Sequence, residues 1–202
     1  MGEVNVRGRG RLFEHPVLET LTRTNEYITF FTYVPLMIGV LVFGLVRYDL
    51  NAAIAAGIFL AGILTWTLTE YLMHRYLFHW INENPFIKKF HYVIHGVHHS
   101  YPKDEGRLFM PPAPGIVFAG AFFLLFYLLM GAYSFAFFPG FVTGYLMYVY
   151  THFAIHRFKK PRNLLGYIWD HHNKHHFKHD DKAFGVSSPL WDVVFGTMPP
   201  KK

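Results

Sequence analysis

A chain of 202 residues that is 52% hydrophobic and 19% aromatic but only 16% charged does not have the composition of a soluble domain. Its formal charge of +6, set beside long apolar blocks, reflects topology and contact with anionic lipid, which sets nucleic-acid binding aside. Cysteine is absent, excluding disulfides, iron–sulfur clusters and thiolate zinc sites, so any metal must rest on the 14 histidines, on carboxylates or on backbone oxygen.

The opening MGEVNVRGRGRLFEHP is too polar for a signal-peptide core and is read as a mature amino terminus, with a disordered tail the alternative for residues 1 to 11. Val17, Leu18, Leu21 and Tyr27 then recur at helical spacing and predict a short helix at the membrane interface. Four apolar spans follow, at 27–46, 52–73, 114–132 and 135–153. RYDLN joins the first pair and little more than YS the second, which predicts two helical hairpins with tight turns on one side of the membrane. Only Arg47 of the 19 basic residues falls on that side; the other 18 lie in the amino terminus, the 74–113 connection and the tail after His156. By the positive-inside rule both termini face the cytoplasm. Trp80, Trp169 and Trp191 fall in these cytoplasmic parts, as an aromatic belt or a cap resting on the interface requires. No repeat or linker divides the chain. The expected architecture is all-α: one membrane-embedded domain over residues 1–202, an integral bundle of four transmembrane helices with a cytoplasmic helical cap carrying a histidine-rich di-metal site. The membrane would be the endoplasmic reticulum in a eukaryote or the inner membrane in a bacterium.

Apart from His15, read as structural, the histidines fall in four clusters: HRYLFH, HYVIHGVHH, HFAIH and HHNKHHFKH. Each lies at the cytoplasmic end of a span or just beyond it, so packing the hairpins into one bundle brings all four to one depth. Residues three and four apart share a helical face, so His95, His98 and His99 form one triad and His172, His175 and His176 another. His152 and His156 are a pair one turn apart. His74 and His79, five apart, share no α-helical face, and the second span is expected to end between them, with His79 on a turn. Ten imidazoles on four segments are too many for one ion and suit two with open positions; imidazole accepts iron, zinc, copper and nickel alike. Glu70, one turn before His74, is expected to orient a ligating imidazole. Asp170, Asp181 and Asp192 are weaker candidates for the same task.

EYLMHRYLFH, HGVHHSYPKDEGRLFMPP, THFAIH, HHNKHH and FGVSSPLWDVVFGT together resemble the fatty acid hydroxylase and sterol desaturase superfamily. The histidine boxes carry the superfamily. Its fatty acid 2-hydroxylase branch is indicated by Pro102, Asp104, Arg107, Leu108, Met110, Pro111 and Pro112, with Phe184, Gly185, Val186, Trp191, Asp192 and Phe195 to Thr197. The resemblance, over roughly residues 12 to 198, implies a non-haem di-iron oxygenase that uses O2 to hydroxylate carbon 2 of a long acyl chain, free or within a sphingolipid such as ceramide. Carried over by position, the ligands would be His74, His79, His95, His98, His99, His152, His156, His172, His175 and His176, leaving His91, His171 and His179 without a role. Val149 stands where members of the branch often have aspartate. Many eukaryotic members carry a cytochrome b-type haem domain before the first span, which 26 residues cannot hold, so electrons are expected from a separate protein, cytochrome b-type or a ferredoxin with its reductase.

Two iron ions in an all-nitrogen cage can bind and split O2, with zinc a competitor in purified protein, while the protein contributes placement and exclusion of water. An acyl tail would lie in an apolar slot between spans with its head group at the metals, where Arg107 is the candidate to bind it or to close the site. The rival readings are oxidation of another lipid, such as a sterol or carotenoid, and metal transport. Transport would place ligands near the midplane of broken helices, whereas the first and third spans carry no ionisable group. A histidine pH sensor would need imidazoles free to titrate.

Overall fold

A computed structural model describes residues 4–200 and contains, among them, helices and turns but no strand. A short helix α1 (Pro16–Leu21) precedes α2 (Glu26–Arg47) and α3 (Ala52–Leu72). Beyond α3 the chain winds on as a π-helical turn, Met73–Phe78. Next come α4 (Pro85–His91), a second π-helical turn (Tyr92–Gly96) and α5 (Val97–Ser100), then α6 (Pro112–Met130), α7 (Ser134–Arg157), α8 (Gly166–Phe177) and α9 (Leu190–Val194). Three stretches are long and apolar enough to cross a membrane: Glu26–Arg47, Ala52–Phe78 and Glu105–Arg157. The last contains both α6 and α7.

The element ends follow from local chemistry. Asn25 and Asn51 accept the first free N–H groups of α2 and α3, from Ile28 at 2.9 Å and from Ala53 at 3.0 Å. Pro112 opens α6 at a position where its missing N–H costs nothing. Gly131, at φ 55°, ends α6 in the left-handed region that glycine enters without strain. A tight turn then folds α7 back along α6, with Phe126 against Phe137 at 4.8 Å and Phe122 against Phe141 at 5.0 Å.

The other expected hairpin packs differently. α2 and α3 are joined by a short turn, but each packs chiefly on α7, the most buried helix. Bare backbone makes this possible: a Cβ on Gly62 of α3 would lie 2.2 Å from Phe137 O, and one on Gly140 of α7 would lie 2.0 Å from Phe59 O. Small residues that let helix backbones touch are the usual device where lipid removes the hydrophobic drive for association. Tyr33, Trp66, Phe126, Phe141, Leu146 and Val149 fill the core around this crossing.

The amino-terminal stretch is ordered against the cap from residue 4 onward; residues 1–3 lie outside the described chain. Asn5 N–H donates to Ser100 O at 2.8 Å and Gly10 N–H to Asp104 Oδ2 at 2.8 Å. Arg23 grips Asp104 through both terminal nitrogens, at 2.9 and 3.1 Å. The expected interfacial helix is confined to the six residues of α1, with Val17, Leu18 and Leu21 exposed.

Candidate metal centre

All ten singled-out histidines converge at one end of the bundle, in two groups of five. His74, His79, His95, His99 and His175 form the first; His98, His152, His156, His172 and His176 form the second, and within each the nitrogens lie within 4.8 Å of one another. Each triad is split. The i and i+4 members of the first, His95 and His99, join one group while His98 joins the other; on α8, His172 and His176 join the second while His175 crosses to the first. Each group therefore takes a pair from the end of a long helix, an i, i+4 pair from one triad and a single histidine from the other. The groups touch where His99 stacks on His176, at 4.2 Å between ring centres.

The π-helical turn explains how His74 and His79 serve one group. Hydrogen bonding from i to i+5 widens the helix, so residues five apart lie over one another. As expected, the helix ends between them: it widens into the π-helical turn, stops at Phe78, and His79 sits on the turn beyond.

The nitrogen geometry fits cations better than hydrogen bonds. In the second group, successive Nε2 atoms of His176, His98, His152, His156 and His172 are 3.0, 2.9, 3.2 and 3.0 Å apart. In the first, His95 Nε2 lies 3.1 Å from His74 and 2.9 Å from His99. A neutral imidazole nitrogen has one in-plane hydrogen or one lone pair, so the inner members of such a chain cannot bond both neighbours. Ligands about 2.1 Å from a shared cation, at nearly right angles, would be about 3.0 Å apart. The Nε2 atoms of His79 and His175 are buried and have no protein partner. The residues present therefore fit two metal ions.

Burial first, and neighbouring imidazoles second, hold His95, His98, His99, His172 and His176 well below the usual imidazole range. Burial likewise takes His79 to about 3, and takes His175 to about 4 against the opposing hydrogen bond it donates to Lys182 O. Neutral imidazoles are the metal-ready form.

The loop 182–187 orients two members of the first group. His74 Nδ1–H donates to Phe184 O at 2.5 Å and His175 Nδ1–H to Lys182 O at 2.7 Å. A carbonyl can only accept, which fixes both tautomers and leaves both Nε2 lone pairs for the cage. Between the two carbonyls Ala183, fully buried at φ 59°, takes a backbone conformation unusual for a side chain with Cβ.

Two buried carboxylates hold this loop. Glu70 reaches no imidazole; it accepts from Val186 N–H at 2.7 Å, from Ser187 N–H at 2.9 Å and from the Ser187 hydroxyl at 2.5 Å. Asp192 accepts from Phe184 N–H, Gly185 N–H, the Thr197 hydroxyl and His171 Nε2–H, all within 2.9 Å. Burial alone would raise Asp192; the His171, Thr197 and Gly185 hydrogen bonds outweigh it and hold the carboxyl below its usual range. His171 is thus tied to the tail, a role the sequence did not signal because its partner lies 21 residues away. His91 is half-buried with its ring 6.4 Å from that of His79. His179 is half-buried, while Asp170, exposed, pairs with Lys160 and Asp181 is exposed.

Arg107 corrects an expectation. All five of its donors are used inside the protein, on Gly10 O, Thr22 O, Thr22 Oγ1 and Glu19, and its side chain is 2% exposed. No edge of the guanidinium is left for a substrate head group. Val149 lies buried in the apolar core.

The fatty acid hydroxylase family profile matches residues 59–197. The dihydroceramide fatty acyl 2-hydroxylase FAH2 of Arabidopsis thaliana is 36% identical, covering 94% of this chain and 80% of its own. The ceramide very long chain fatty acid hydroxylase scs7 of Schizosaccharomyces pombe is 36% identical over 91% of this chain, and the human fatty acid 2-hydroxylase 34% over 95%. The chain spans 53% and 57% of those two relatives. A solved structure of full-length scs7p, in which only the hydroxylase domain is visible, superposes with a TM-score of 0.88 at 33% identity, covering 96% of this chain and 74% of that one.

Proposed function

Since the chain belongs to the fatty acid hydroxylase family, we propose that it hydroxylates carbon 2 of a long acyl chain, free or within a sphingolipid such as ceramide. The observation that carries this reading is the pair of five-imidazole groups at the end of an apolar bundle. His74, His79, His95, His99 and His175 would hold one iron, and His98, His152, His156, His172 and His176 the other. When bound, two irons supply the activation of O2 that an unreactive C–H bond demands.

The protein's own part is placement. An apolar pocket lined by Tyr33, Trp66, Met73, Gly115, Phe122 and Phe141 lies between the long helices, and Met73 adjoins His74 in the chain. A slot of this lining takes an acyl tail and holds water away from it, so the carbon beside the head group is the one presented to the histidines. Glu70, Asp192 and the loop between them keep the first group's lone pairs aimed inward. Arg107 acts by fastening the amino-terminal segment over the cap. Electrons come from a donor outside this fold, a cytochrome b-type protein or a ferredoxin. We propose further that the bundle crosses the membrane four times, through α2, α3, α6 and α7, as one domain. The basic residues gathered at the histidine end support a cytoplasmic position for that end.

The test is mass spectrometry of hydrolysed lipids from cells expressing the chain or its His98→Ala variant. New 2-hydroxy acids with the unaltered chain alone are expected. Hydroxylation at another carbon, or new products confined to the sterol or carotenoid fraction, would overturn the assignment.

A further inference from the structure

The tail helix α9 has two faces. Asp192 points inward and is fully buried, while Leu190, Val193, Val194 and Phe195 are among the exposed large apolar side chains, Val193 at 63% and Val194 at 58%. Its depth is fixed by α3. Trp191 Nε1–H donates to Thr67 Oγ1 at 3.0 Å, Phe195 stacks on Tyr71 at 5.1 Å, and Thr197 bonds the Tyr71 hydroxyl at 3.0 Å.

Helical rise converts these contacts into a position. Asn51 and Asp49 mark the polar turn at the far end of α3, and at 1.5 Å per residue Thr67 lies about 22 Å from Ala52. A hydrocarbon core of about 30 Å therefore extends past Thr67 to about residue 72. The side of α3 involved points the same way. Leu60, Leu64, Thr67 and Tyr71 are spaced i, i+4, i+7 and i+11, so they share one face; Leu60 and Leu64 are exposed on it at hydrocarbon depth, and α9 covers its continuation.

We infer that α9 is immersed in the membrane leaflet at the histidine end, with Leu190, Val193, Val194 and Phe195 in contact with lipid acyl chains. Its inner face then presents Asp192 to His171 and to the loop that orients His74. This inference rests on the reading of α3 as a membrane span. Lipid contact thereby seats the group that fastens the metal-orienting loop, and no hydrophobic stretch of spanning length is needed for it.

Because the sequence has no cysteine, a single introduced one is labelled selectively. A nitroxide at Val194→Cys, in the full chain in phospholipid nanodiscs, is compared with labels at Leu64→Cys and Lys178→Cys for collision with oxygen and with a water-soluble nickel chelate. Val194 is expected to match Leu64, oxygen-accessible and shielded from nickel by tenfold or more relative to Lys178. Nickel access at 194 equal to that at 178, with 64 shielded, would overturn the inference while leaving the span intact. Low collision with both reagents at 194 would also overturn it, by showing a protein surface there instead of lipid. Nickel access at 64 as well as at 194 would remove the membrane reading of α3 itself, and this inference with it.

Discussion

His175 and His176 are consecutive in the chain, yet their rings stand 5.8 Å apart with planes at 86°, and they belong to different five-imidazole groups. Double substitutions should therefore sort by group and not by distance along the sequence. His99→Ala with His175→Ala removes two ligands from one group and should leave about one metal ion per chain. His175→Ala with His176→Ala damages both groups and should leave none after the same dialysis. Elemental analysis of the purified proteins checks this, and equal metal content in the two would contradict the partition.

Asp192 accepts four hydrogen bonds at full burial. Asp192→Ala strands those donors, at about 1–3 kcal/mol for each buried group left unpaired. A total of about 4 kcal/mol or more corresponds to a fall in melting temperature of about 8–16 °C or more for a chain of this size. The freed loop should also cost about 10–100-fold in metal affinity, because Phe184 O then loses its hold on His74. Thermal melts and competition with a chelator measure the two effects separately.

Glu19 ties α1 to the amino-terminal stretch and to Arg107. Burial pushes its carboxyl up, but the N–H groups of Leu12 and Phe13 and the guanidiniums of Arg107 and Arg23 outweigh this and bring it to about 2. A depressed carboxyl contributes stability that is complete above its ordinary value near 4.5 and is lost as pH falls from there toward 2. Hydrogen exchange at Leu12 and Phe13 should therefore accelerate across that window beyond the intrinsic trend. Glu19→Gln should already show fast exchange at neutral pH; slow exchange in that variant would contradict the account.

Gly140 tests the helix crossing that supports the cage. A methyl group there would sit 2.0 Å from Phe59 O, so Gly140→Ala should destabilise by about 1–3 kcal/mol or more as α3 and α7 are forced apart. Gly39→Ala is the control, since its Cβ would meet nothing within 4 Å. It should leave stability unchanged or raise it by about 0.5–1 kcal/mol through helix propensity. Melting in the same detergent distinguishes the two.

Eight of the ten imidazoles were legible because histidines three or four residues apart emerge on one side of a helix; His74 and His79, five apart, were legible only by their place at the end of a span. Spacing alone could not divide them: His95, His98 and His99 lie within one face, and only the position of α8 decides which lone pair meets which partner. The π-helical turn at Met73–Phe78 was also hidden, since no residue type marks an i to i+5 turn, and an α-helical reading put His79 off the face that carries His74. Glu70 was recognised as costly without a partner, but its partners, Val186 and Ser187, are more than a hundred residues away and bind through backbone N–H groups that carry no sequence signal. Arg107 was misread for a similar reason: its acceptors include Gly10 O and Thr22 O, which any residue would supply. The apolar blocks fixed the long helices to within a few residues, whereas the insertion of α7 between α2 and α3 depended on glycine contacts that hydropathy does not register.

The sharing of two short segments, the π-helical turn running into α5 (Tyr92–Ser100) and α8, between the two groups has a mechanical consequence. Rings three residues apart on each, His95 and His98 at 5.7 Å and His172 and His175 at 6.0 Å, point into different groups. The spacing of these shared members is thus set within a single helical turn, by bond lengths and backbone torsions, whatever the lean of the long helices that supply His74, His79, His152 and His156. Bending of the long helices would move the pairs they carry, while the imidazoles within each short segment keep their spacing. The apolar pocket between the long helices, proposed to take the acyl tail, can then widen or tilt while the spacing within those two segments persists.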